Sequence, residues 1–255
     1  MTAIAVGADT ALAVRGLRKS FQGGRVPVLQ DVTLSIRCGE RVALLGANGC
    51  GKSTLLRCML RLIEPDAGAV DIGGVAVTGL RGRALRRVRA RVGLVFQKHN
   101  LVPRLSVLTN VLHGALARGL SFRVWRQSWA PAAERERALE CLDMVGLAHL
   151  ADRRAGQLSG GQSQRVAIAR ALMQQPTTIL ADEPVASLDP VAADEVMEMF
   201  CRLVGQQGLT LVFVSHNLEH AVRYADRLIA LRAGRIERDV PATGVRVEEL
   251  RGLYE

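Results

Sequence analysis

Apolar positions along the 255-residue chain gather in short unbroken runs rather than in strict alternation. Runs at 42–45, 94–96, 179–181, 211–214 and 228–231 are rich in Val, Ile, Leu and Phe. Unbroken runs of this length are the pattern of parallel strands covered on both faces. Between them, 53–62, 134–146, 161–174 and 190–207 read as helices. Alternation of this kind predicts an α/β fold built around a mainly parallel sheet. The first 40 residues differ: "LAVRGLRKSF", "VLQDVTLSI" and the turn "RCGE" predict short antiparallel strands. Residues 98–158 break the alternation altogether. They hold no strand-like run, but they carry both tryptophans, Trp125 and Trp129, and two helix-like segments, "VLTNVLHGALARG" and "ERERALECLDMVGL". The expectation is a mostly helical subdomain set into the α/β core. No internal repeat, low-complexity tract or long linker divides the chain. It reads as a single domain over 1–255, with the core at 1–97 and 162–255 and the helical subdomain at 98–161.

Composition adds the class of protein. With 49% hydrophobic and 23% charged residues the chain can bury one sizeable core. No apolar run approaches the ~18–20 residues that span a bilayer. The start, "MTAIAVGADT", has an acid at Asp9 and no basic residue before Arg15, which argues against a secretory signal. Five scattered cysteines (Cys38, Cys50, Cys58, Cys141 and Cys201) form no C-x-x-C pair and fit a reducing compartment. An excess of 34 basic over 24 acidic residues gives a net charge of +10, concentrated in "RGRALRRVRARVG" at 81–93. A solvated helix face, a nucleic-acid site and attraction to an anionic membrane all fit that run. Charge alone does not separate them.

Candidate chemistry sharpens the picture. The spacing Gly46-x-x-x-x-Gly51-Lys52-Ser53 follows an expected strand and precedes an expected helix, as a phosphate-binding loop requires. Its glycines let successive N–H groups face a phosphate, and the helix start adds the positive end of its dipole. Lys52 can reach the β- and γ-phosphates of ATP, and the Ser53 hydroxyl can serve Mg2+. Cys50 lies inside this loop, where it is expected to be a tolerated small side chain that makes the site alkylation-sensitive. In "TILADEP" an apolar run leads to Asp182 and Glu183 at the C-terminal edge of a buried strand, the edge at which open α/β sheets bind ligands. Asp182 suits a Mg2+ partner acting through water, and Glu183 a base or orienter for the attacking water. "LSGGQSQRVAIARAL" starts a helix with Ser159, Gly160 and Gly161, a second anion site at a helix N-terminus. One nucleotide loop with two phosphate-binding helix starts is economically used in a head-to-tail dimer. Each copy then covers the γ-phosphate held by the other.

These motifs together resemble the ATP-binding cassette family over nearly the whole chain. "GANGCGKST" resembles its Walker A loop, so Gly46, Ala47, Asn48, Gly49, Cys50, Gly51, Lys52, Ser53 and Thr54 are expected to bind nucleotide. "ILADE" resembles its Walker B strand. "LSGGQ", including Gln162, resembles its signature. The resemblance implies that Gln97 in "GLVFQ" touches Mg2+ and links the core to the helical subdomain. It also implies that His216 in "FVSHN" lies near the γ-phosphate, that Asp189 in "ASLDP" lies at the dimer seam, and that Phe21 in "RKSF" stacks on adenine. The fold implied is a RecA-like P-loop NTPase core with an antiparallel β-subdomain and an inserted helical subdomain. Intact Lys52, Glu183 and His216 imply hydrolytic competence.

A chain without a membrane span can drive transport only through separate integral permease subunits, at the cytoplasmic face of the inner membrane. The segment "FQKHNLVPRLSVLTNVLHGALARG" resembles the ATPase subunits of bacterial phosphonate importers, as do "FRVWRQSW", "LADEPVASLDP" and the ending "LYE". The switch region "SHNLEHAVRYADR" departs toward generic importers. That resemblance implies import of a phosphonate or another small phosphorus oxyanion, delivered indirectly by a periplasmic binding protein. An importer of another small solute, such as a polar amino acid, is the alternative. A non-transport cassette acting on nucleic acid is disfavoured: neither fused cassettes nor a long coiled insertion is visible.

Overall fold

Two antiparallel strands, β1 (Thr10–Phe21) and β2 (Val26–Arg37), begin the structure. They run 12 residues each, longer than the short strands the sequence predicts. Left-handed residues and bulges carry them past apparent breaks: Gly16 has φ +58° and Asp31 φ +66°, and the register shifts between Val14 and Leu17. A bulge of this kind bends a strand without ending it. Leu12, Val14 and Leu17 of β1 and Val32, Leu34 and Ile36 of β2 are buried, and Ala11 and Ala13 are buried between them, so β1 is covered on both faces at its start.

A computed structural model describes residues 9–120 and 122–252. These residues form two compact units, 9–88 with 208–252, and 89–120 with 122–207. In the first, β4 (Ala67–Ile72) and β5 (Val75–Ala76) extend the N-terminal sheet in the order β2-β1-β4-β5. The same unit holds β3 (Arg41–Leu45), whose Val42, Ala43, Leu44 and Leu45 are all fully buried. β3 is flanked in parallel by β8 (Thr210–Val214) and β9 (Arg227–Arg232). β10 (Arg235–Pro241) returns antiparallel on β9. Ala233 (φ +47°) and Gly234 (φ +76°) make the two-residue turn between them, the conformation that suits a tight hairpin. Helices α1 (Lys52–Met59), α7 (Leu218–Tyr224) and α8 (Val247–Arg251) belong to this unit, and α2 (Gly82–Arg89) ends at its boundary. Most of the basic run thus forms a helix whose Arg83, Arg86 and Arg87 are exposed while Val88 turns inward, with Arg81 exposed just ahead of it.

The second unit contains a parallel pair, β6 (Val92–Val95) and β7 (Thr178–Ala181). Its helices are α3 (Val107–Leu112), α4 (Ala132–Met144), α5 (Gly160–Met173) and α6 (Pro190–Gln206). Val166, Ile168 and Leu172 of α5 are buried, and α5 packs against α3 and α4. At Gly114 an added Cβ would lie 2.2 Å from the Arg170 carbonyl oxygen, so two backbones meet there. The sequence predicts one helical segment over 107–119. Instead α3 stops at Leu112 and a 3-10 stretch, His113–Arg118, follows until Gly119 (φ +85°).

Candidate functional site

Leu45 ends β3 in the core, and the glycine loop begins at once. Gly46 has φ +138°, and a Cβ there would sit 2.2 Å from Leu231 O. Gly51 has φ +111°, and its Cβ would sit 2.8 Å from Val28 O. Backbone crowding therefore demands glycine at both, whereas Gly49 (φ +80°) faces open space and needs it for conformation alone. α1 starts with no side-chain cap and no acid in its first turn. That leaves its leading N–H groups and dipole for an anion. Lys52 is buried, and its Nζ donates to Gly46 O at 2.7 Å and Ala47 O at 3.0 Å. Its ammonium is thus held inside the loop. Asn48 and Gly49 are exposed, while Ser53 and Thr54 are half-buried in the first turn.

Cys50 is the small loop side chain expected, but it is not open to solvent. It is buried, with Sγ 4.0 Å from Lys52 Nζ, and its thiol would touch a Cβ at Gly46. The loop packs around it instead of offering it to alkylating reagents.

His216 belongs to the same sheet edge as the loop. Leu44 of β3 pairs with Val214 of β8, and Ser215 N donates to Leu44 O at 3.3 Å. His216 is exposed between two pinned neighbours. Ser215 Oγ donates to Asn217 O, Asn217 N donates to Ser215 Oγ, and Asn217 caps α7 by accepting from His220 N. Phe21 ends β1, 38% exposed, with Lys19 Nζ 5.5 Å from its ring centroid.

In the second unit, β6 and β7 end side by side. Val95 pairs with Ala181, and Asp182 N donates to Val95 O at 2.8 Å. This gathers Gln97, Asp182 and Glu183 at one edge, with Asp182 buried and Gln97 exposed. Glu183 has φ +52°. A non-glycine residue held there costs on the order of 1–3 kcal/mol, and such strain clusters at functional sites. Arg170, which sequence reasoning missed, fixes the loop after Gln97: its guanidinium donates to Asn100 O at 2.7 Å and His99 O at 2.8 Å. The readable signal was an arginine set between the apolar residues Ala169 and Ala171 of α5.

Ser159 begins α5 with a reciprocal cap: Gln162 N donates to Ser159 Oγ at 3.2 Å, and Ser159 N donates to Gln162 Oε1 at 3.0 Å. Such a box fixes the helix start and orients the exposed Gly160. A cavity of about 460 Å³ lies here, lined by Ser159, Gly160, Gly161, Gln162 and Asp189 among others. Asp189 has a local task that the sequence reading did not give it. It caps α6, accepting from Ala192 N at 3.0 Å ahead of Pro190.

Among the described residues, no group of three or more His, Cys, Asp or Glu could hold a metal ion. The Ser53 hydroxyl, the Gln97 side-chain carbonyl and the Asp182 carboxylate are each hard oxygen donors, the chemistry that suits a divalent cation such as Mg2+.

The family profile of the ABC transporter matches residues 29–186. The chain is 43% identical to the phosphonates import ATP-binding protein PhnC of Bordetella parapertussis, over 96% of each chain. It is 46% identical to the phosphate-import ATP-binding protein PhnC of Mycolicibacterium smegmatis, over 98% of this chain and 94% of that one. Among solved structures, cbiO1 from Clostridium perfringens, part of the ABC transporter complex cbiONQ, superposes with a TM-score of 0.82 at 29% identity, covering 94% of this chain and 92% of that one. A dimeric ATP-binding cassette in a post-hydrolysis state bound to ADP and Pi superposes with a TM-score of 0.78 at 36% identity, covering 92% of this chain and all of the other. With an uncapped glycine loop around a buried lysine, a strained glutamate after a buried strand and a capped serine–glycine helix start, this chain belongs to the ABC transporter family.

Proposed function

We propose that this chain is the Mg2+-dependent ATPase subunit of an importer, working as a head-to-tail homodimer beneath integral membrane permease subunits. The observation that carries the reading is the cradle of Lys52, whose buried ammonium is held by the Gly46 and Ala47 carbonyls at the start of an uncapped helix. Phe21 stacks on adenine. The loop N–H groups and Lys52 bind the phosphates, with Ser53, Gln97 and Asp182 serving Mg2+. The Glu183 carboxylate holds the attacking water and takes its proton, while His216 orients the terminal phosphate. Ser159, Gly160, Gly161 and Gln162 of one copy, with its Asp189, close over the nucleotide of the other. The dimeric ADP- and Pi-bound cassette supports the pairing.

The cargo is a phosphonate or a related phosphorus oxyanion, supported by relatives named for phosphonate import and for phosphate import. A periplasmic binding protein delivers it to the permease, and the chain sits at the cytoplasmic face of the inner membrane. No helix among the described residues is long and apolar enough to cross a membrane. A host lacking this chain should fail to grow on methylphosphonate as sole phosphorus source, and restoration should require Lys52. Undiminished growth of the deletion strain on methylphosphonate would overturn the cargo assignment and leave the ATPase assignment standing.

A further inference from the structure

The surplus of positive charge is not spread along the chain. Between Asp71 and Glu134 there is no acidic residue and there are eleven basic ones, so the remainder of the chain is close to neutral. Within this stretch, residues 123–130 form a short platform in the second unit. Val124 and Ala130 are buried. Gln127 accepts from Ser106 Oγ at 2.9 Å and reaches Asp152 Oδ1 at 3.5 Å, and Arg135 donates to the Ala130 carbonyl at 3.0 Å. Trp129 N and Ala130 N both donate to Arg126 O, closing a turn. The Trp125 carbonyl lies 3.5 Å from His113 Nε2. With 124, 127 and 130 held in this way, Arg123, Trp125, Arg126 and Trp129 are left outward. Trp125 is 60% exposed and Trp129 57%, and the Arg126 guanidinium lies 5.2 Å from the Trp129 ring centroid.

Two indoles this exposed on a pinned loop need a partner that is apolar on one side and wet on the other, which is where tryptophan concentrates at a bilayer surface. Interleaved arginines in an acid-free stretch add attraction to anionic headgroups. A cation already resting on one indole matches that layer, where charge and ring lie at the same depth. We propose that the 123–129 platform is a direct contact with an anionic phospholipid surface, holding this subunit against the bilayer independently of any permease.

The two tryptophans are the only ones in the chain, so intrinsic indole emission reports this platform alone. The purified chain is mixed with phosphatidylcholine vesicles and with vesicles containing about one-third phosphatidylglycerol. The expected result with the anionic vesicles is a blue shift, quenching by acyl-chain-brominated lipid, and loss of both at about 0.5 M salt. Neutral vesicles should give neither. Arg123→Glu with Arg126→Glu should lower partitioning on the order of 100-fold. The control pair Arg83→Glu with Arg86→Glu, on α2, should lower it far less. Partitioning measured by sedimentation with Trp125→Ser and Trp129→Ser should also fall, and circular dichroism checks that each variant is folded. Four results would overturn the proposal: no emission change with anionic vesicles, an equal response to neutral ones, dependence on the α2 pair instead of the loop pair, or a blue shift produced by short single-stranded RNA without lipid quenching. None of these bears on ATP hydrolysis.

Discussion

Lys52 shows what a single side chain contributes to the cradle. Its ammonium bridges two carbonyls of its own loop, so under the proposed function it is preset for a phosphate before one arrives. Lys52→Ala should lose nucleotide affinity first, by 10-fold or more, since a charge-assisted contact is worth about 1.5–3 kcal/mol. A fluorescent ATP analogue titration measures this, and unchanged affinity would remove Lys52 from the site. The thiols give a second residue-scale expectation. Cys38 is exposed while Cys50, Cys58, Cys141 and Cys201 are buried. Burial raises the Cys58 and Cys141 thiols to about 11, far from the thiolate form that reacts. A chromogenic thiol reagent at pH 8 should therefore titrate one cysteine promptly in the native protein and five after denaturation. Prompt reaction of Cys50 would contradict the closed loop.

At the scale of elements, the contact between the 3-10 stretch after α3 and α5 sets the packing of the second unit. Gly114→Ala forces a Cβ to within 2.2 Å of Arg170 O, and overpacking of that kind costs about 1–3 kcal/mol. Urea unfolding should show the loss, and wild-type stability would mean the backbones do not meet there. The strands at β3, β7, β8 and β9 were legible because residues buried on both faces leave continuous apolar runs. The caps at Ser159 and Asn217 lie directly before their helices, but only Ser159 stood out, because two glycines follow it. What stayed illegible has physical causes. β5 and β10 have no buried position, β4 is buried only over its last three residues, and all three depend on a neighbour for their pairing. The early end of α3 is followed at once by the close backbone approach of Gly114 to Arg170, across more than fifty residues, which no local pattern encodes. At the candidate site, the places of the loop lysine, the strand-end acids and the serine before α5 in the fold were readable from motif order. The capping role of Asp189 and the strain at Glu183 were not, because both are backbone geometry.

At the scale of the whole molecule, stability should respond to acid through paired carboxylates. Burial of Asp226 works to raise its pKa, but Arg41 outweighs it through a bidentate guanidinium contact and a backbone N–H. The folded carboxyl is therefore held below 3.8. A depressed folded value means the pair stabilises the fold above the unfolded pKa and loses that contribution as pH falls through the folded one. Asp226→Asn should then lower the melting temperature at pH 7, with the difference from wild type shrinking below about pH 4. A difference that grows in acid would reverse the assignment.

The central claim concerns two copies and one nucleotide between the loop of one and the serine–glycine helix start of the other. Glu183→Gln keeps the side chain's shape and removes its capacity to take a proton. Light scattering coupled to size exclusion, with saturating MgATP, tests the claim most directly. The account predicts a dimer of Glu183→Gln that forms with ATP, dissociates when ATP is withdrawn, and is lost when Ser159 is also changed to a bulky arginine. A monomer that binds ATP fully yet never pairs would contradict it.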